Sequence, residues 1–406
     1  MPTTFHKDGT ATTVINRFDG GIANDPRDPR DDVCRVVTNF DVFTNPSKMT
    51  PYRSSEDGDS GANDSQRQNF LIALRTGTTY SFYAYGRQTA ANRTQVSYKN
   101  LTTGVDATDL DDAGWQTDGN GDEGSIATPN YNLFVYYRRT GLIYGAHGGS
   151  NIWACDPSFV VAFAGTHLAL TYTNIAQGLV HSKDDILYVP YDNRIAKNDN
   201  GVWTTIALQL PASMYITSIC EMGNNIAIAM APLSGAVAGQ SRVYIWDRDT
   251  SVTTLSETIP WEEGQLQILE VVDGYLIGIS ISGNSTTRHN NRIMFRYLDG
   301  NNILGYRAKK LFEIISPTGQ ESAPPSASTG TTQLPIAKQM IEGRLHFLMM
   351  AYINGENRDG VWSLGKVGDS FALVHERTVN NDTALTSGTL FGFFYVGDYL
   401  FIAYDD

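Results

Sequence analysis

One unit recurs along this chain: an apolar strand, a Gly/Asp/Asn turn, a second apolar strand, then a third that ends in an aromatic residue. It reads Ile268 to Val272, Asp273-Gly274, Tyr275 to Ile281 and Arg292 to Tyr297, and earlier Thr217 to Glu221, Gly223-Asn224-Asn225, Ile226 to Met230 and Arg242 to Trp246. About six or seven such units follow one another at a spacing of roughly 40 to 50 residues, the sequence sign of antiparallel sheets arranged radially. The expected fold is therefore all-β, a β-propeller of four-stranded antiparallel blades, seven-bladed with six as the fallback, preceded by an extended N-terminal arm. A repeat architecture also explains how 406 residues can be one body, because each unit packs mainly on its neighbours.

The blades begin near residue 66, which divides the chain into an arm (1–65) and a propeller (66–406). The first is read as Phe70 to Leu74, Tyr80 to Tyr85, Gln95 to Tyr98 and a strand near Trp115; the second as Leu133 to Tyr137, Leu142 to Gly145, Asn151 to Ala154 and Leu168 to Tyr172. The third runs from Gly178 to Leu208, the fourth from Ile216 to Ile259, the fifth from Gln267 to Ile314 and the sixth from Ala337 to Val379. Two insertions, near 107–124 and 316–334, are rich in Asp and Gly or in Pro, Ser and Thr, and read as exposed loops. The last unit stops short: Leu390 to Val396, Gly397-Asp398, Tyr399 to Tyr404. An apolar strand left unpaired there is an aggregation hazard. The run Thr12 to Phe18 is the candidate for closing that blade. Within the arm, Val33, Val36, Val37 and Phe40 share a helical spacing and predict a short helical turn.

A net charge of −13 opposes sequence-independent nucleic-acid binding, which needs a cationic footprint. The adjacent basic pairs are Arg138-Arg139 and Lys309-Lys310. Cys34, Cys155 and Cys220 are too few and too scattered for a disulfide framework or a zinc pattern. The polar N-terminus predicts a chain made and folded in the cytoplasm, and no run approaches a membrane span.

Motifs of chemistry are sparse. Asp118, Asn120 and Asp122 place oxygen ligands at alternate positions and are the candidates for calcium, but Glu123 stands where an EF-hand needs Gly and Pro129 where it needs Glu. A solvated acidic loop is the plainer reading, and no other cofactor is implied. Asn198-Asp199-Asn200-Gly201-Val202-Trp203 and Asn357-Arg358-Asp359-Gly360-Val361-Trp362 resemble fragments of the Asp-box of sialidase-like propellers, a structural turn between outer strands. Trp153, Trp203, Trp246 and Trp362 read as blade core, and His167 and His346 as strand histidines, core or outer-face. Gly360 to Lys366 matches the first part of a phosphate loop, but Val367 replaces the Ser or Thr that would hold magnesium, so it reads as a strand.

Phe18-Asp19-Gly20-Gly21-Ile22, Asp25-Pro26-Arg27, Val36 to Asp41 and Pro51-Tyr52-Arg53 together resemble the opening of a group of tailed-bacteriophage virion proteins, in which a Phe-x-Gly-Gly segment and a polar arm precede a β-propeller. Ser316 to Pro324 is similar to the Gly-Glu-Ser-Ala-Pro linkers of such tail components, with Gln320 inserted. The resemblance implies a non-enzymatic structural subunit of a phage tail, at the nozzle, hub or collar, located in the virion. Its partners would be copies of itself and neighbouring tail proteins. Phe18, Gly20, Gly21, Asp25, Arg27, Arg30, Asn39 and Arg53 would form the assembly interface. Glycine lets the backbone approach closely, and arginine pairs with carboxylates on a neighbouring copy. The rival expectation is a propeller that binds or cleaves cell-surface polysaccharide, with aromatics stacking on sugars and loop carboxylates acting as acid and base.

Overall fold

The computed structural model of the chain describes residues 3–5, 11–13, 40–41, 50–51, 66–76, 79–88, 93–101 and 116–117. It also describes residues 133–404 apart from 148–150, 158–163, 233–240, 252–254, 256–258, 262–263, 285–288, 300–307, 316–337, 350, 354–355, 359, 379–389 and 397–398.

Strand β1 (Thr3–Phe5) pairs antiparallel with β2 (Ala11–Thr13), Thr3 opposite Thr13, and β3 (Phe40–Asp41) pairs with β4 (Thr50–Pro51). Six four-stranded antiparallel sheets follow in chain order. Blade one is β5 (Gln66–Thr76), β6 (Thr79–Gln88), β7 (Arg93–Leu101) and β8 (Gln116–Thr117). Blade two is β9 (Phe134–Tyr137), β10 (Leu142–His147), β11 (Asn151–Cys155) and β12 (Ala164–Ala169). Blade three is β13 (Leu179–Val180), β14 (Leu187–Tyr191), β15 (Arg194–Asp199) and β16 (Val202–Gln209); blade four is β17 (Met214–Met222), β18 (Asn225–Pro232), β19 (Ser241–Trp246) and β20 (Ile259–Trp261). Blade five is β21 (Gln265–Val272), β22 (Tyr275–Asn284), β23 (His289–Asp299) and β24 (Lys309–Ile315). In blade six, β25 (Lys338–Ile341) and β26 (Arg344–Met349) lead through a small hairpin of β27 (Tyr352–Ile353) and β28 (Glu356–Asn357) to β29 (Gly360–Val367) and β30 (Ser370–Thr378). A two-stranded sheet, β31 (Leu390–Val396) and β32 (Tyr399–Tyr404), ends the series.

The sheets follow one another around a ring. β5 lies beside β9, β14 beside β17, β17 beside β21 and β21 beside β26, and β31 touches both β26 and β5. The fold is thus a β-propeller, with the last hairpin seated between blades six and one. Its core is a set of layers between blades. One apolar cluster joins blades two and three through Tyr144, Ile152, Leu187 and Val189. Another joins three and four through Tyr188, Ile219, Ile228 and Trp246, and a third joins four and five through Trp261, Leu266 and Leu276. A fourth joins five and six, and Phe393 of β31 adds to it.

The repeated sequence unit is now explained. Its turns are tight two-residue hairpins that use positive φ, at both central residues in Asp273-Gly274 (49° and 78°), Glu342-Gly343 (49° and 77°) and Asn200-Gly201 (50° and 90°), and at the first alone in Gly223-Asn224 (63°). Such turns match the twist of antiparallel strands and favour Asn, Asp and Gly. The third strand of a blade carries a buried aromatic: Trp153, Trp246 and Trp362 are buried there, and in blade five it is Phe295 that is buried while Tyr297, which closes the unit, is half-buried. Each buried ring removes on the order of 200 Å² from water, worth about 5 kcal/mol.

Several expectations are corrected. The fourth strand of blade two ends at Ala169 instead of running from Leu168 to Tyr172. Leu170 and Tyr172 are buried beyond the strand, and the Tyr172 hydroxyl donates to the Asn151 carbonyl at 3.0 Å, so apolar character there marks a buried connection. Phe40 lies in β3, not at the end of a helical turn; the rest of that segment lies outside the described residues. Thr12 and Thr13 pair with Thr4 and Thr3, and Val14 to Phe18 lie outside the described residues. The second Asp-box-like segment runs from β28 into β29, between the second and third strands of its blade rather than between outer strands. Gly360 to Lys366 is strand β29.

Candidate functional site

Neighbouring blades meet along seams, and three seams share one design. A tyrosine at the second strand of one blade meets an aromatic ring of the next edge-on, and an ion pair bridges the turns beside it. Between blades two and three the rings are Tyr144 and Trp203, 5.7 Å apart, and the pair is Arg139–Asp199 at 2.7 Å. Between three and four they are Tyr188 and Trp246, also 5.7 Å apart, with Arg248 paired to Asp184. Between five and six they are Tyr275 and Phe371 at 5.4 Å, and Lys366 lies 2.9 Å from Asp273 and 4.7 Å over the Tyr275 ring.

The seam between blades four and five is made differently, by side-chain hydroxyls on backbone. Thr217 Oγ1 donates to the Leu266 carbonyl at 2.7 Å, Ser241 Oγ donates to that of Gly264 at 2.7 Å, and the Leu266 N–H donates to Ser241 Oγ at 2.9 Å. Trp261 lies flat against Gly278, where any Cβ would collide with the indole.

The three aromatic seams differ in closure. At the three–four seam Tyr188 and Trp246 are 2% and 0% exposed, and the Trp246 indole N–H donates to the Asp249 carbonyl at 3.2 Å. Asp184 accepts from the Tyr188 hydroxyl at 3.1 Å, and Glu221 accepts from the Ser182 amide at 2.8 Å. Burial, then the Asp184 charge, push the Tyr188 hydroxyl well above its ordinary range, so it stays protonated.

At the two–three seam Trp203 is only half-buried, which corrects its reading as blade core, and so is His167, whose ring lies 5.3 Å from Tyr144 and 6.4 Å from Trp203. Among the described residues the Trp203 indole N–H has no hydrogen-bond partner. The Arg139 and Asp199 side chains are 37% and 46% exposed, and Val202 beside them is 70% exposed. Below this rim the site is fixed. The Tyr137 hydroxyl donates to the Asp185 carbonyl at 2.6 Å and accepts from the Asn200 amide at 3.3 Å, and Asn198 Oδ1 accepts from the Gly201 amide at 2.7 Å. Burial raises the Tyr144 hydroxyl above its ordinary range, against the hydrogen bonds of Thr140 and Asn198. Burial lowers His167 below its ordinary value, leaving a neutral imidazole at pH 7. Two half-buried rings, one of them a neutral imidazole, and an accessible guanidinium–carboxylate pair thus lie along one seam.

Two further polar groups look chemical but are enclosed. In blade six, His346 Nε2 lies 3.2 Å from Glu376 Oε1, and Arg344 lies 3.5 Å from the same oxygen. Burial raises the Glu376 pKa, but the hydrogen bond and charge of His346, with Ser363 and Arg344, outweigh it and bring it to about 2. Ser363, His346 and a carboxylate are all present in blade six, yet the two ring nitrogens of His346 face the Arg344 carbonyl and Glu376, whereas a nucleophilic triad needs His on Ser. All three are buried, so this is a blade-locking network. On the inner strands, Lys338 Nζ meets Glu270 at 2.8 Å and donates to the Ile219 carbonyl at 2.9 Å and to the Leu269 carbonyl. That ammonium ties blade six to blades five and four.

The interface residues expected from the sequence, Phe18, Gly20, Gly21, Asp25, Arg27, Arg30, Asn39 and Arg53, all lie outside the described residues, as do Asp118, Asn120 and Asp122. Among the described residues no cluster of His, Cys, Asp or Glu could hold a metal ion. The crevice was not legible as a site. Arg138-Arg139 and the Asp-box-like turn each stand out in the sequence, but Arg139 and Asp199 are 60 positions apart and only the seam joins them.

No protein-family model and no curated protein sequence matches the chain. Solved structures do. A fungal lectin from Aleuria aurantia, described as a six-bladed β-propeller with a fucose recognition mode, is 11% identical with a TM-score of 0.38, over 76% of this chain and 94% of that one. The GH74 enzyme of Niastella koreensis is 11% identical with a TM-score of 0.44, over 84% of this chain and 52% of that one. An exo-β-1,3-galactanase from Phanerochaete chrysosporium is 12% identical with a TM-score of 0.34, over 64% and 68%. Likeness at this level concerns fold and carries no substrate or reaction to this chain. It does correct one expectation: with glycoside hydrolases among the neighbours, a role without enzymatic activity is not retained.

Proposed function

We propose that this protein is a glycan-recognising propeller that binds or cleaves cell-surface polysaccharide, with the crevice between blades two and three as its sugar-binding surface. The observation that carries this reading is the half-buried Trp203 and His167 beside the accessible Arg139–Asp199 pair, at a seam whose counterpart between blades three and four is closed. A sugar ring presents an apolar C–H face and a belt of hydroxyls. The indole offers a flat apolar partner for the first, while guanidinium, carboxylate and imidazole offer directional donors and acceptors for the second. A glycan array, with a reducing-end assay on every polysaccharide bound, tests it. Binding that Trp203→Ala and Asp199→Ala abolish supports the reading. No binding, or binding indifferent to both substitutions, removes the crevice from consideration.

A second reading rests on the arm. Its resemblance to bacteriophage tail proteins supports a propeller carried in the virion, assembled as copies of itself against neighbouring tail proteins, with the glycan on the host surface. Arg27→Glu with Arg30→Glu would then prevent ring formation while sparing the monomer, as read by native mass spectrometry. Normal rings would sink the interface assignment.

A further inference from the structure

We propose, resting on the glycan reading of the two–three seam, that the seam between blades five and six is a second sugar-binding surface, so that one chain holds a repeating polysaccharide at two points on one face. The two seams are built at equivalent places. In each, an ion pair joins the turn between the first two strands of the earlier blade to the end of the third strand of the later one. Arg139, between β9 and β10, meets Asp199 at the end of β15; Asp273, between β21 and β22, meets Lys366 near the end of β29. The charges are exchanged across the seam and the positions are kept. The rings correspond as well. Trp203 and Phe371 are each the second residue of a fourth strand, opposite Asn198 and Lys366, and Tyr144 and Tyr275 each lie on a second strand.

Both seams open on the same face. In a four-stranded antiparallel blade the first and third turns lie at one end. Ion pairs tie that end of blade two to blade three and of blade three to blade four. The inner strands of blades four and five run parallel, with Thr217 bonded to the Leu266 carbonyl and Ser218 Oγ accepting from the Leu269 N–H at 3.2 Å. The five–six seam is also open where the three–four seam is closed. Asp273 is 58% exposed where Asp184 is 26% exposed. Tyr275 and Tyr297 are half-buried with centroids 5.7 Å apart, and the buried Phe371 packs on both, at 5.4 and 6.1 Å. The hydrogen bond to Asp273 holds Lys366 above its ordinary pKa, so it is an ammonium at pH 7. Phenol rings for the C–H face of a sugar, with an ammonium donor and a carboxylate acceptor for its hydroxyls, repeat the chemistry of the two–three seam.

The test uses the full chain with the polysaccharide that a glycan array retains, as immobilised polymer and as short soluble fragments. Native mass spectrometry should count two fragments per chain. Trp203→Ala should reduce the count to one, and so should Asp273→Asn with Tyr297→Leu, in which Asn keeps the positive-φ turn and Leu keeps apolar volume without the ring. Either change should speed dissociation from the immobilised polymer by about 10²-fold or more, because avidity is lost. One fragment per chain, lost with Trp203→Ala and indifferent to Asp273→Asn with Tyr297→Leu, overturns the second site and leaves the first. One fragment lost only with Asp273→Asn and Tyr297→Leu overturns the two–three reading and the two-point hold with it. An array that retains nothing overturns both. Should Tyr297→Leu fail to fold, Asp273→Asn with Lys366→Gln removes both charges from the rim. A count of two that survives that pair overturns the second site equally.

Discussion

The seams on either side of blade three are built to one plan and serve different ends. Both set a tyrosine edge-on to a tryptophan at 5.7 Å, and both bridge their turns with an arginine–aspartate pair. In the three–four seam every ring is buried and the tryptophan N–H is satisfied by its own blade; in the two–three seam tryptophan and histidine are half-buried, the indole N–H has no partner among the described residues, and the ion pair is accessible. The two tryptophans hold different places in their blades: Trp246 lies on the third strand, opposite Ile226, and Trp203 on the outer strand, opposite Asn198. Place within the blade does not by itself set exposure, because Phe371 lies on the outer strand of blade six and is buried.

The largest expected effect is at the closed seam. Trp246→Ala should cost about 3–5 kcal/mol, while Trp203→Ala should cost roughly 1–2 kcal/mol and act mainly on glycan binding. Equal shifts in urea midpoint would erase the distinction between clamp and surface.

Acid titration gives the next effect, from an enclosed network with no accessible rim. The folded pKa of Glu376, about 2, lies below its ordinary 4.5. Its contribution is therefore present above pH 4.5 and lost as pH falls from there towards 2, with a total on the order of 3 kcal/mol. Glu376→Gln should be less stable at pH 7 and should flatten the acid limb of stability against pH. An unchanged limb would show that other carboxylates govern acid unfolding.

The ion pairs give smaller effects. Asp184→Ala removes the carboxylate that Arg248 and the Tyr188 hydroxyl share, leaving Arg248 only its bond to the Asn224 carbonyl, and should cost about 1–2 kcal/mol. Asp199→Ala removes an exposed pair and should cost about 0–1 kcal/mol, a difference that 1 M NaCl should nearly abolish. A salt-insensitive loss at Asp199 would mean that this pair, too, is part of a clamp.

The strands were legible in the sequence because alternation and turn chemistry are local. β31 and β32 fall where the sequence places them, and most other strands match within a few residues. Misreadings occurred where burial came from other segments, as at Leu170 and Tyr172, whose apolar character serves a connection between blades. The crevice was illegible for the same reason. Trp203 stands near the start of its strand and Trp246 at the end of its own, and neither position says whether the neighbouring blade covers the ring.

The sequence by itself determined the repeated unit, its hairpin turns and its buried third-strand aromatics, because backbone propensity and side-chain period act within about ten residues. The tertiary structure alone decided which blades meet through aromatic clamps and which through hydroxyls, which tryptophan is left half-buried, and that the last hairpin sits between blades six and one. These depend on contacts between residues far apart in sequence, 119 positions for Lys338 and Ile219 and further still between β31 and β5, which no local pattern encodes.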